Sequence, residues 1–90
     1  MMSGVSVACR LLPVLSRQIE QLAMQDATFR DLCDDLAAAE ATLLDLRQLP
    51  KSISKQRLAE CEGWITSLSE EIETALKRAG TVMRARQADL

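Results

Sequence analysis

The chain has no histidine and no tyrosine, and only one phenylalanine and one tryptophan among its 90 residues. The missing histidine removes the side chain most used as a general base near neutral pH and as a metal ligand. Helix-bundle metal centres built on Glu-x-x-His are excluded with it. Cys9, Cys33 and Cys61 are too widely spaced for a Cys-x-x-Cys site, and their odd number does not make a disulfide framework. They read as reduced thiols of a cytoplasmic protein. Gly4, Gly63 and Gly80 stand singly, so there is no glycine-rich phosphate loop. These absences argue against an enzyme and against a bound cofactor or metal. No apolar run approaches the roughly 20 residues that a membrane span needs. The opening "MMSGVSVACRLLPVL" carries no positive charge ahead of its apolar stretch, and Arg10 interrupts it, so it does not read as a signal peptide.

What is present points to helices. Apolar residues make up 48% of the chain, enough to oppose disorder along its length. They are mostly Leu and Ala, which suit helices better than strands. The net charge of −2 does not suit a general nucleic-acid binder. The expectation is one small all-α domain.

Spacing places three helices, at about 13–25, 28–48 and 54–80, after a flexible N-terminus over 1–11 and before a frayed tail over 81–90. In the last, Leu58, Cys61, Ile65, Leu68, Ile72, Ala75, Ala79 and Val82 step by three and four, the rhythm of a coiled-coil seam. Ser52 or Ser54 can cap its start, and Gly80 marks its expected end. In the middle helix Phe29, Leu32, Leu36, Ala39, Leu43 and Leu46 keep the same rhythm up to Pro50. The first helix shows Leu12, Leu15, Ile19 and Leu22, with Pro13 in its opening turn. Its stripe falls out of phase near "QDAT", where either the chain breaks or one long helix changes face; a break or kink is favoured, because Asp26 and Thr28 can each cap a new helix. Thr28 followed by Asp31 is close to a capping box.

The turn between the last two helices is short, so they are expected to pack antiparallel as a coiled-coil-like hairpin. With the turn centred near Lys51 and Ser52, Trp64 comes level with Ala38 and Ala39, and the large ring is expected to face the small side chains. Ile72 meets Leu32, and Leu76 approaches Phe29. A second apolar stripe, Cys33, Ala37 and Leu44, is broken by Glu40. Leu76 and Met83 widen the last helix. The N-terminal segment can cover part of this apolar surface. The remainder suggests self-association into a dimer or tetramer, a bundle of long helices.

Two charged groups stand out. Asp31, Asp34 and Asp35 are expected level with Glu70, Glu71 and Glu73. They read as a solvated face, a docking patch for a basic partner, or a weak divalent-cation site. Arg47, Lys51, Lys55 and Arg57 surround the turn with no acid between them. They read as helix-end charge, or as a contact for nucleic acid or an acidic protein.

"FRDLCDDLAAAEATLLDL" and "RLAECEGWITSLSEEIETAL" resemble the small bacterial helical-hairpin proteins of the YdcH-like kind. Phe29 and Leu32 match the Phe-x-x-Leu that opens the first helix of that family. Leu68, Glu71 and Ile72 match the Leu-x-x-Glu-Ile near the end of the second. The likeness spans residues 26–78. The family's histidine after an acidic pair is missing here, and the turn contains Pro50. The family has no settled activity, so the resemblance implies a hairpin fold and no mechanism. The functional expectation is a protein–protein interaction module or adaptor that associates with itself, with an unknown protein as a further partner. The alternative is a small nucleic-acid-associated protein using the basic turn and the C-terminal basic residues Lys77, Arg78, Arg84 and Arg86.

Overall fold

A computed structural model describes the backbone of residues 3–88, and side chains over 3–80 apart from Lys51 and Ile53. Among these residues the fold is all-α, with four helices: α1 Gly4–Leu11, α2 Ser16–Gln25, α3 Ala27–Arg47 and α4 Lys51–Ala88. A 3-10 turn, Pro13–Leu15, joins the first two.

Local chemistry sets each boundary. The Ser3 hydroxyl accepts from the Ser6 amide at 3.1 Å and caps α1. Leu12 leaves the helical region because Pro13 follows it. Asp26 is extended, at φ −131 and ψ 105, and its carboxylate accepts from the Phe29 amide at 3.0 Å. The cap of α3 is therefore Asp26, and Thr28 lies inside the helix. Arg30 reaches back to donate to the Ala23 carbonyl, satisfying an acceptor near the end of α2. The helix α4 starts at Lys51, directly after Pro50, earlier than either expected serine cap. Ser54 lies buried one turn inside, its hydroxyl donating to the Pro50 carbonyl at 3.2 Å.

The N-terminus expected to be flexible over 1–11 is helical from Gly4, with Gly4, Val7 and Ala8 buried. The helix expected to stop near Gly80 continues through Ala88, so the tail expected to be frayed is helical as far as Ala88. A lone glycine with ordinary backbone angles costs about 1 kcal/mol and does not end a helix. Trp64 does not pack into the core: it is 44% exposed. Cys61, Ile65 and Leu68 occupy the seam. Trp64 precedes Ile65 by one residue, about 100° around the helix, and falls beside it. Of the alanine run, Ala39 is buried, Ala37 half-buried and Ala38 exposed. Ala39 faces Cys61, whose thiol donates to the Ala39 carbonyl at 3.2 Å.

The core has two parts. The larger cluster joins all four helices through Ala8, Ile19, Ala23, Phe29, Cys33, Leu36, Ala39, Leu68 and Ile72. Leu32, Ile65 and Leu76 pack against it, half-buried. The smaller cluster, Leu43, Leu46 and Cys61 with Leu58, sits nearer the α3–α4 turn. The helix α1 lies on α3 over the second apolar stripe. Cys33 is fully buried with Ala8, and Glu40 pairs with Arg10. That stripe is satisfied within the chain, although Leu44 remains 50% exposed. Met83 lies outside the described side chains.

Candidate functional site

The two longest helices differ in length, and the difference creates a groove. The helix α3 has 21 residues and α4 has 38. At the helical rise, α4 runs about 25 Å past the start of α3. Nothing of α3 lies alongside α4 there. The chain fills part of the gap with the turn that Pro13 forces between α1 and α2. Leu11, Leu12, Pro13, Val14, Leu15 and Gln18 form one wall of an open cavity of about 920 Å³. Glu73, Leu76, Lys77 and Gly80 of α4 form the other. Val14 at the rim is 90% exposed, because a 3-10 turn cannot bury successive apolar residues on one side. Gly80 has no neighbour within 4 Å of a Cβ position, so the groove stays wide at that end. The sequence signal for this site is "LLPVL", an apolar run that a proline prevents from forming one helical face.

The groove is suited to an amphipathic surface, since Leu, Val and Pro line the turn side while Glu73 and Lys77 flank Leu76 on the α4 side. No group of three or more metal-ligating side chains occurs among the described residues. The acidic residues Asp31, Asp34, Asp35, Glu70, Glu71 and Glu73 are all exposed, and none forms an ion pair with Arg47, Lys55 or Arg57. The last three lie exposed around the α3–α4 turn, and the Lys51 side chain lies outside the described residues. The structure adds an ion pair that spacing missed. Arg10 of α1 meets Glu40 of α3, the charge that interrupts the second stripe. Arg10 is half-exposed, so the pair contributes at most about 1 kcal/mol.

The cysteines are free and held by packing. Burial pushes the Cys33 thiol up to about 11, with the Asp34 and Cys9 charges adding to it. Burial, then Glu20, also raises Cys9, whose thiol donates to the Ser16 carbonyl at 3.6 Å. In the unfolded chain a thiol ionises near 9. Folding therefore keeps the Cys33 proton on to higher pH. Its contribution is complete below pH 9 and is lost as pH rises toward 11. Replacing Cys33 with alanine is expected to flatten this alkaline loss. Urea midpoints of both proteins at pH 8 and 10.5 measure it, and equal losses in the two would refute the assignment.

No protein-family profile matches the chain, and neither does any curated protein or solved structure. No helix among the described residues is long and apolar enough to cross a membrane.

Proposed function

We propose that this chain is a protein–protein interaction module: a coiled-coil-like helical hairpin with an N-terminal helical cover, acting as a cytoplasmic homo-oligomer. The open apolar groove between the Pro13 turn and α4 carries this reading. Its occupant is an amphipathic helix of a partner protein. The groove follows a helix that has no α3 beside it, so a second helix can lie where α3 does not reach, with an apolar ridge against Leu15 and Leu76. The three free thiols suit a reducing compartment. The YdcH-like resemblance supports the hairpin and adds no activity.

A photo-crosslinker placed at Val14 tests the groove in living cells. The expected result is a discrete adduct to one protein. It should be absent when the crosslinker sits at exposed Thr42 and lost when Leu15 is changed to aspartate. The same adducts from both positions would reject the groove as the docking site. A salt-sensitive shift of DNA or RNA, lost when Lys55 and Arg57 become glutamate, would favour the nucleic-acid reading instead.

A further inference from the structure

We infer that a second copy of this chain docks antiparallel along the exposed face of α4 centred on Trp64. The inference deepens the homo-oligomer part of the proposed function and uses a surface distinct from the groove.

Trp64 is the largest side chain in the protein and lies 44% exposed in the middle of α4. Burying such a ring is a large source of association energy. Its neighbours on that face are ordered. Arg57 stands seven residues before it and Glu71 seven residues after it. Seven residues fall about 20° short of two full turns, so the three side chains share one face. Arg57 and Glu71 then lie about 10 Å to either side of the ring. Glu60 and Ser67 fill the intermediate steps, giving a three-four-three-four stripe in which every member is exposed. Among the described residues neither Arg57 nor Glu71 has an ion-pair partner. The helix α1, which covers the second stripe of α3, does not pack on α4.

This face is complementary to itself in one orientation. A two-fold axis at Trp64 with the α4 helices antiparallel stacks the two indoles. It also sets Arg57 of each copy against Glu71 of the other. A parallel pair sets Arg57 on Arg57 and Glu71 on Glu71, where like charges repel. The two-fold arrangement closes at two copies, because the same patch serves both sides.

Light scattering and sedimentation equilibrium across a dilution series test this on the whole chain. The wild type is expected to be a concentration-dependent dimer, with Trp64 emission shifting to the blue as it forms. As the only tryptophan, Trp64 reports on the interface without interference. Trp64→Ala is expected to be monomeric with unchanged helical content. Arg57→Glu and Glu71→Arg are each expected to weaken association about tenfold or more, since each creates two like-charge contacts. The double variant Arg57→Glu/Glu71→Arg restores both pairs and should recover the dimer. Failure of the double variant to exceed the singles overturns the antiparallel pairing. A dimer untouched by Trp64→Ala overturns this surface and leaves the homo-oligomer standing. A wild type that is monomeric at every concentration overturns both, while the Val14 crosslink still decides the groove.

Discussion

Leu36→Ala is expected to lower stability by about 2–5 kcal/mol, because it opens a cavity where the surrounding helices cannot collapse. Leu36 has no exposed surface, and its cluster draws on all four helices. Its neighbours there include Ala39 and Cys33, small residues with little side chain to move into the void. A chain of this size holds only about 5–13 kcal/mol in total. The loss therefore takes a large share, and the melting temperature should fall by about 10–25 °C. Leu44→Ala is the matching control. It removes the same atoms from a half-exposed position, and the change there should stay near 1 kcal/mol. Thermal melts of the two variants decide the point. Similar losses would mean that the four-helix cluster is not the dominant core.

Gly4→Ala and Gly63→Ala are expected to change stability in opposite directions. Both glycines are helical, and an alanine in an open helical position stabilises by about 0.5–1 kcal/mol. Gly63 is such a position, with nothing within 4 Å of its Cβ site. Gly4 is not. A Cβ there would stand 2.6 Å from the Asp34 Cα and 2.5 Å from its amide nitrogen. Those are backbone atoms of α3 and cannot rotate away. The helix α1 has to shift outward, lifting Ala8 from Cys33 and Arg10 from Glu40. Overpacking of this kind costs about 1–3 kcal/mol. Limited proteolysis should then cut within α1 at concentrations that leave the wild type intact. If Gly4→Ala raises the melting temperature as Gly63→Ala does, the close approach of α1 and α3 is not present in solution.

The periodic seam was legible before any coordinates. Phe29, Leu36, Ala39, Leu43, Leu46, Cys61, Leu68 and Ile72 are buried where their three-four spacing places them. The break at Asp26 was legible too, because a short polar side chain at a phase change has a local partner in the next helical turn. Trp64 lies one residue off the seam, so its phase, and not its size, leaves it exposed. The groove was not legible as a site. "LLPVL" announces apolar residues that one helix cannot bury, without saying which distant helix stands opposite.

The seam faces of α3 and α4 and the break at Pro50 were settled by the sequence itself, since each depends on residues within one or two turns of one another, whereas α1 and the run of α4 past Gly80 were not. The covering of the second apolar stripe was decided only in three dimensions. Spacing shows that Cys33 and Ala37 need cover, and a second copy of the chain would serve as well as α1. Gly4 and Ala8 tip that choice, because their small size lets α1 approach the α3 backbone more closely than a larger residue would allow. Once α1 holds that place, the large apolar side chains left in the open include Val14 of the Pro13 turn and Trp64 on α4, with Met24, Leu44 and Leu49. Their exposure depends on which segments, distant in sequence, have already claimed each other.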